Sequence, residues 1–122
     1  MKLVLLVEDD PDIREATADI LREAGYEVSE AEDGQGALEQ LQAMERVPSL
    51  VLLDLSMPVM TGQELLHELR KSERFVHLPV VVVSGAGWKH ADVPDADEFI
   101  SKPPSVVQLL KVVREYCDRP EA

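Results

Sequence analysis

The stretch that decides the fold is residues 3–10, which read Leu-Val-Leu-Leu-Val-Glu-Asp-Asp. Five consecutive apolar residues, all of them branched, are typical of a strand buried on both faces, as in a parallel sheet covered by helices. Three carboxylates follow this run at once. Residues 50–53, Leu-Val-Leu-Leu, form a second such run, and Asp54 ends it. If the two runs are neighbouring parallel strands, all four carboxylates lie at one edge of the sheet.

A cluster of carboxylates of this kind favours a bound cation. Two like charges 4 Å apart repel by roughly 4 kcal/mol at an effective dielectric constant of about 20. Oxygen ligands favour a hard ion such as Mg²⁺ over softer metals. We therefore expect a Mg²⁺ site at this edge of the sheet, with Mn²⁺ as an alternative ion.

The composition indicates one globular domain that spans residues 1–122. The chain is 45% apolar and 30% charged, which is typical of soluble globular proteins, and it is long enough for one substantial core. Its net charge of −12 argues against direct contact with nucleic acid or an anionic membrane. The first apolar run is too short for a signal peptide or a membrane span, so we expect a cytoplasmic location.

The cysteine content agrees with that location. Cys117 is the only cysteine, which excludes an internal disulfide and fits a reducing compartment. Its helical spacing from Leu110 and Val113 indicates that it packs in the core.

Strands and helices alternate along the chain. Val80–Val83 is a third continuous apolar run, residues 26–31 alternate in polarity, and residues 99–100 are a short fifth strand candidate. Apolar residues at helical spacing mark four helices: Ile13, Ala16, Ile20, Leu21 and Ala24; Ala37, Leu38, Leu41 and Met44; Leu65, Leu66 and Leu69; Val106, Leu109, Leu110, Val113 and Tyr116. This alternation predicts an α/β fold, a doubly wound parallel five-stranded sheet of (βα)5 units with right-handed crossovers.

Local signals mark the ends of two helices and one irregular segment. Asp10-Pro11 supplies a capping acid and a proline for the first helical position, and Gly25 ends that helix. Ser105 is the expected cap of the last helix. Residues 85–97 contain glycine, proline and acids but no apolar stripe. They predict a fourth helix of no more than a turn or two between the fourth and fifth strands.

The ends of the strands hold the candidate site. In open α/β sheets, ligands bind beyond the carboxyl ends of the strands, where the strand order reverses. Glu8, Asp9 and Asp54 lie at the ends of the first and third strands, Ser84 ends the fourth, and Lys102-Pro103 follows the fifth. The sequence thus predicts an acidic metal pocket on which one hydroxyl and one ammonium group converge.

These residues resemble the signature of response-regulator receiver domains, the phospho-accepting modules of two-component signalling. The most specific segment, Asp54-Leu-Ser-Met-Pro-Val-Met-Thr-Gly62, is similar to the D-x-x-M-P-x-M-x-G segment around the acceptor aspartate of that family. The resemblance covers the whole chain, from residues 4–13 to residues 99–103. It implies the flavodoxin-like strand order 2-1-3-4-5, here with a shortened or irregular fourth helix.

The resemblance also implies an acceptor and a metal site. Asp54 would take a phosphoryl group from a phosphohistidine, supplied by a sensor histidine kinase or a phosphotransfer protein. Asp9, Asp54 and the backbone carbonyl of Ser56 would bind Mg²⁺ directly. Glu8 would act through a metal-bound water. An aspartyl-phosphate is a known form of covalent phosphoryl carrier, which is consistent with this reading.

Three further residues receive roles from the same resemblance. Lys102 would pair with Asp54 and then with a phosphoryl oxygen, and the peptide bond to Pro103 would be cis to aim it. Ser84 would donate its hydroxyl to another phosphoryl oxygen, and Phe99 would turn inward when Ser84 moves. Trp88 lies in the segment expected to move, so its emission would report the switch.

Two alternatives remain open at this point. A phosphohydrolase of the haloacid-dehalogenase kind also uses an aspartyl-phosphate, but it needs a second acid two residues later, where this chain has Ser56. A degenerate receiver would bind partners without being phosphorylated, and the intact Asp9, Asp54, Ser84 and Lys102 argue against it. We expect a switch rather than an enzyme, with at most self-catalysed phosphorylation and dephosphorylation.

The segment between the fourth and fifth strands bears on self-association. The interval from Ser84 to Lys102 is several residues shorter than the family usually has, and that face commonly carries dimerisation in the family. We therefore prefer a monomer. We expect the output to pass through a downstream protein or an attached output domain.

Overall fold

Five strands and four α-helices alternate through the part of the chain that the structure describes. This structure is a computed structural model and describes residues 2–55, 60–85 and 87–118. The elements are β1 (Leu3–Val7), α1 (Pro11–Glu23), β2 (Glu27–Ala31), α2 (Gly34–Ala43), β3 (Leu50–Leu53), α3 (Gly62–Lys71), β4 (Val80–Ser84), β5 (Glu98–Ser101) and α4 (Val106–Cys117). A 3-10 turn, His90–Asp92, lies between β4 and β5. The predicted alternation is confirmed. Among the described residues between β4 and β5, the only helical element is this single turn, as the sequence predicted.

All five strands are parallel, and their order is β2-β1-β3-β4-β5, as the resemblance implied. Val7 at the end of β1 lies opposite Ala31 of β2 on one side and Leu53 of β3 on the other. Strand order reverses between β1 and β3, because the chain moves outward to β2 before it returns. The carboxyl ends of β1 and β3 therefore meet at the position where such sheets bind ligands.

The sheet separates two apolar cores. Leu5 and Val7 face the core beneath α2 and α3, whereas Val4 and Leu6 face the core beneath α1 and α4. Alternate residues of a strand point to opposite faces, so a strand covered on both sides must be apolar at every position. This explains why the central strands are continuous apolar runs.

The buried stripe of α1 differs from the predicted one. Ala18 and Leu21 are fully buried, whereas Ile13 is 42% exposed and Ala16 and Ala24 are exposed. Ala16 lies five positions before Leu21, which places it about 140° away from Leu21 around a helix of 3.6 residues per turn. Ile13 lies in the first turn of α1, and Ala24 follows the last helical residue.

The last helix shows the same effect at its start. Val106 is 50% exposed in the first turn, whereas Leu109, Val113 and Tyr116 are buried. Val106 was therefore wrongly assigned to the buried stripe. Cys117 packs in the core as predicted and is 1% exposed. Burial raises the pKa of its thiol to about 11, which keeps the thiol protonated and poorly nucleophilic near neutral pH.

The predicted helix ends are confirmed. The Asp10 carboxylate accepts hydrogen bonds from the backbone nitrogens of Asp12 and Ile13, and the Ser105 hydroxyl accepts one from Gln108. Gly25 follows α1 with a φ of 97°, a left-handed conformation that glycine adopts without steric cost. Among the described residues, no helix is both long and apolar enough to cross a membrane.

Candidate functional site

Three carboxylates converge where β1 and β3 end. Glu8 follows β1 directly and Asp54 follows β3, and the Asp54 nitrogen donates a hydrogen bond to the Val7 carbonyl at 3.0 Å. One carboxylate oxygen from each of Glu8, Asp9 and Asp54 lies within 4.8 Å of the others. Glu8 and Asp54 are buried, whereas Asp9 is exposed. The predicted acidic cluster is therefore present.

The donor set fits a hard divalent cation. Three carboxylate oxygens at this spacing suit Mg²⁺, which is usually held by a few carboxylates and keeps several waters. The exposed Asp9 leaves one side of the cluster open for those waters. Ser56, whose carbonyl was expected as a further ligand, lies outside the described residues.

Lys102 occupies the centre of the site, but its closer partner differs from the expected one. Its Nζ is 2.5 Å from Glu8 Oε1 and 3.6 Å from Asp54 Oδ2. The backbone nitrogen of Lys102 donates a hydrogen bond to the Ser84 carbonyl at 2.9 Å, which fixes the segment after β5 to the end of β4. The Lys102–Pro103 peptide bond is cis, as the resemblance implied. The Lys102 ammonium group is thus paired with two buried carboxylates, those of Glu8 and Asp54.

Burial and neighbouring charges shift the pKa values of this pair. Burial raises the pKa of Glu8 to about 7; the charge of Asp54 adds to the rise, and the hydrogen bond from Lys102 opposes it. Burial alone would lower the pKa of Lys102. The hydrogen bond to Glu8 and the negative charge of Asp54 outweigh that effect and hold the pKa above its ordinary value. A bound dication would favour the ionised form of Glu8.

The Ser84 hydroxyl belongs to the site, and Phe99 lies on the neighbouring strand β5. The Ser84 hydroxyl is buried and donates to Asp54 Oδ1 at 3.4 Å, a long hydrogen bond that leaves room for adjustment. Phe99 lies opposite Val82 in the sheet and is half-buried against the core beneath α2 and α3. Both positions are compatible with the roles that the resemblance implies.

Arg14 supports the site, although it belongs to none of the motifs that predicted the site. Its guanidinium donates to the Glu8 backbone carbonyl at 2.9 Å and lies 3.6 Å from the Glu30 carboxylate. It therefore ties the turn after β1 to the end of β2. In the sequence, Arg14 is only a basic residue near the start of the helix that follows the acidic run. Such residues are common on helix surfaces, so this position alone does not predict a role in the site.

Comparisons with known proteins agree with this geometry. The family model of the response regulator receiver domain matches residues 4–114. The phosphate regulon transcriptional regulatory protein PhoB of Pseudomonas aeruginosa is 35% identical over 122 residues, which cover 97% of this chain and 52% of PhoB. The polar-differentiation response regulator DivK of Brucella suis is 29% identical over 119 residues, which cover 94% of this chain and 95% of DivK.

Solved structures of response regulators also resemble this chain. The response regulator TrrA from Thermotoga maritima, determined in complex with Mg²⁺ and BeF, matches with a TM-score of 0.83 and 32% identity. The match covers 95% of this chain and 99% of that one. The chain spans about half the length of several curated relatives, PhoB among them, and nearly the full length of DivK.

Proposed function

Since the chain belongs to the response regulator receiver domain family, we propose that Asp54 accepts a phosphoryl group from the phosphohistidine of a sensor histidine kinase or a phosphotransfer protein. Residues 1–122 would form one receiver domain. The observation that carries the proposal is the convergence of Lys102 and Ser84 on a buried aspartate that shares an acidic cluster with Glu8.

The reaction is a displacement at phosphorus. An oxygen of the Asp54 carboxylate attacks, the bond between phosphorus and the imidazole nitrogen breaks, and its electron pair stays on the imidazole. The product is an acyl phosphate on Asp54. Negative charge spreads over the three equatorial phosphoryl oxygens in the transition state, so neutralisation and placement supply most of the catalysis.

The residues around Asp54 supply that neutralisation. Lys102 Nζ is already 3.6 Å from Asp54 Oδ2 and can reach a phosphoryl oxygen on it. Mg²⁺ would be held directly by Asp9, Asp54 and the Ser56 carbonyl, and by Glu8 through a bound water. When bound, Mg²⁺ neutralises charge on the transferring phosphoryl group.

Phosphorylation would act as a switch, not as one step of a turnover cycle. The modification adds negative charge and strong acceptor oxygens. The Ser84 hydroxyl would exchange its long hydrogen bond to Asp54 for a shorter one to a phosphoryl oxygen, and Phe99 would follow inward. The signal is then a shift of population between two arrangements of one segment.

We also propose a setting for this switch. A cytoplasmic location is supported by the single buried cysteine and by the chemistry of the phosphodonor. The shortened connection between β4 and β5 supports a monomer. The net charge of −12 favours output through a protein partner or an attached output domain, without contact between this domain and nucleic acid.

A phosphodonor assay tests the proposal. Incubation with acetyl phosphate and Mg²⁺ should add one phosphoryl group to the intact protein, detected by mass spectrometry. Asp54→Asn should abolish the adduct, because an amide is not a competent nucleophile, and EDTA should suppress it. Asp19→Asn, which changes an exposed acid on α1, is the matched control and should label like the unsubstituted protein.

The same assay separates the alternatives. Continuous release of inorganic phosphate without accumulation of the adduct would indicate a phosphohydrolase. Absence of any adduct in the unsubstituted protein would indicate a degenerate receiver. Labelling that persists in Asp54→Asn would refute Asp54 as the acceptor.

A further inference from the structure

The turn after β1 brings two consecutive carboxylates to the same place. Successive residues of an extended strand point to opposite faces of the sheet, so Glu8 and Asp9 would diverge if β1 simply continued. Instead the chain bends at Asp9, and one carboxylate oxygen of each residue lies within 4.8 Å of the other and of an Asp54 oxygen. The acidic cluster therefore depends on the conformation of the peptide group that joins Glu8 to Asp9.

Arg14 binds the carbonyl of that peptide group. Its Nη1 donates a hydrogen bond to the Glu8 backbone carbonyl at 2.9 Å. The Glu8 nitrogen donates to the Ala31 carbonyl at 3.0 Å, so the backbone of Glu8 is held between α1 and the end of β2. A charged donor forms a stronger hydrogen bond to a carbonyl than a neutral donor does, and the guanidinium is therefore suited to fix the bend.

The guanidinium is itself held in place. Its Nε lies 3.6 Å from Glu30 Oε1, and Arg22 pairs with the other oxygen of Glu30 at 3.0 Å. The side chain of Arg14 is 20% exposed, whereas that of Arg22 is 47% exposed. Because Arg14 is the more buried of the two, solvent screens its interactions less.

We propose that Arg14 is a positioning residue for the metal site: it raises the affinity for Mg²⁺ by holding the bend between Glu8 and Asp9, although its charge alone would lower that affinity. This inference rests on the proposed function, because it takes Mg²⁺ as the ion that the acidic cluster binds. It adds a residue outside the set of expected ligands. Replacing a group that orients metal ligands commonly weakens metal binding by about 10- to 100-fold.

The direction of the effect separates position from charge. Arg14 carries a positive charge beside the acidic cluster and repels a second cation, so removal of that charge alone would strengthen Mg²⁺ binding. Loss of the hydrogen bond to the Glu8 carbonyl would release the bend and weaken Mg²⁺ binding. A role in position and a role in charge therefore predict opposite changes for the same substitution.

Arg14→Met tests the proposal, because it removes both the charge and the donor but keeps an unbranched side chain. MgCl₂ is titrated into ¹⁵N-labelled, unphosphorylated protein at constant ionic strength, and the affinity is taken from the amide shifts of Glu8, Asp9 and Asp54. We expect Arg14→Met to bind Mg²⁺ about tenfold more weakly than the unsubstituted protein. Arg14→Lys keeps the charge but loses the planar fork, so its affinity should lie between those two values.

Arg22→Met is the matched control. It removes the other arginine paired with Glu30 and a hydrogen bond to the Val28 carbonyl at 3.2 Å, but it leaves the donor to the Glu8 carbonyl in place. Its Mg²⁺ affinity should stay within about twofold of that of the unsubstituted protein. An equal loss of affinity in Arg22→Met would reveal a general structural effect and overturn the positioning role, as would unchanged or tighter binding in Arg14→Met.

The outcomes distinguish this inference from the proposed function. Absence of Mg²⁺ binding by the unsubstituted protein would refute the metal site itself. Saturable binding that Arg14→Met does not weaken would refute only the role of Arg14. If urea denaturation shows that Arg14→Met does not fold, Arg14→Lys carries the test, and an affinity equal to that of the unsubstituted protein would refute the proposal.

Discussion

At the scale of single residues, Gly62 controls how closely α3 approaches Asp54, the proposed acceptor. Its nitrogen donates a hydrogen bond to the Leu55 carbonyl at 3.1 Å. A Cβ atom at this position would lie 2.4 Å from the Asp54 carbonyl oxygen and 2.8 Å from the Leu55 Cα. Both neighbours are backbone atoms, which cannot rotate out of the way. The glycine that ends the D-x-x-M-P-x-M-x-G segment therefore fixes the position of Asp54 through its missing side chain.

We predict that Gly62→Ala both destabilises the protein and slows phosphorylation. The added methyl group must push α3 away from residues 54–55, which costs about 1–3 kcal/mol as for other overpacked sites. The displaced Asp54 would react more slowly with acetyl phosphate. Urea denaturation measures the first effect, and the rate of adduct formation measures the second.

Gly36→Ala is the matched control for that substitution. A Cβ at Gly36 would have Asp33 Oδ1 at 3.4 Å as its nearest neighbour, so it fits without displacement. Alanine also favours a helix by up to about 1 kcal/mol over glycine. This variant should be at least as stable as the unsubstituted protein. If Gly62→Ala were as stable as the unsubstituted protein and were labelled at the same rate, the proposed role of Gly62 would be refuted.

At the scale of elements, Arg70 organises the shortened connection between β4 and β5. Its guanidinium donates to the Asp95 carbonyl at 3.0 and 3.1 Å and to the Leu78 carbonyl at 2.8 Å. It also pairs with the Asp97 carboxylate at 3.0 Å, which accepts a hydrogen bond from the Val80 nitrogen. One side chain at the end of α3 thus connects the segments before β4 and before β5, where a full helix is lacking.

We predict that Arg70→Met lowers the free energy of unfolding by about 1.5–3 kcal/mol, the range for hydrogen bonds to charged groups. Arg70→Lys should recover little of this, because an ammonium group does not reproduce the planar fork that reaches several carbonyls. Arg46→Met is the control: Arg46 forms an exposed pair with Glu27, worth about 0–1 kcal/mol. Similar urea midpoints for Arg70→Met and Arg46→Met would show that Arg70 has no special role.

At the scale of the whole molecule, the two aromatic side chains that follow Ser84 most closely along the chain lie on one side of the sheet. Phe99 and Trp88 both pack against the core beneath α2 and α3, and Ser84 precedes Trp88 by four residues. A movement of Ser84 towards a phosphoryl group would therefore change the packing around both aromatic side chains. The core beneath α1 and α4 contains neither residue, so we expect the response to appear on the α3 side of the sheet.

We predict that phosphorylation changes the emission of Trp88, the only tryptophan. Acetyl phosphate with Mg²⁺ should alter its intensity or its emission maximum in parallel with formation of the adduct. Ser84→Ala should still form some adduct but show a much smaller change in emission, because the hydroxyl that couples the two events is missing. An adduct without any emission change in the unsubstituted protein would refute the coupling, as would an undiminished change in Ser84→Ala.

Much of the fold can be predicted from the sequence because strands that are buried on both faces have a recognisable sequence pattern. A strand covered by helices on each side must be apolar at every position, so Leu3–Val7 and Leu50–Leu53 are readable without a structure. The buried face of a helix is harder to predict, since a small residue such as alanine occurs in both buried and exposed positions. Ala16 and Val106 were misassigned because their exposure depends on where each helix lies relative to the edge of the sheet.

The sequence by itself determined that Glu8, Asp9, Asp54, Ser84 and Lys102 share one edge, because parallel strands bring all their carboxyl ends to the same side. Only the tertiary structure decided which groups touch. Lys102 is 94 positions from Glu8, and its preference for that carboxylate depends on the path of the segment after β5.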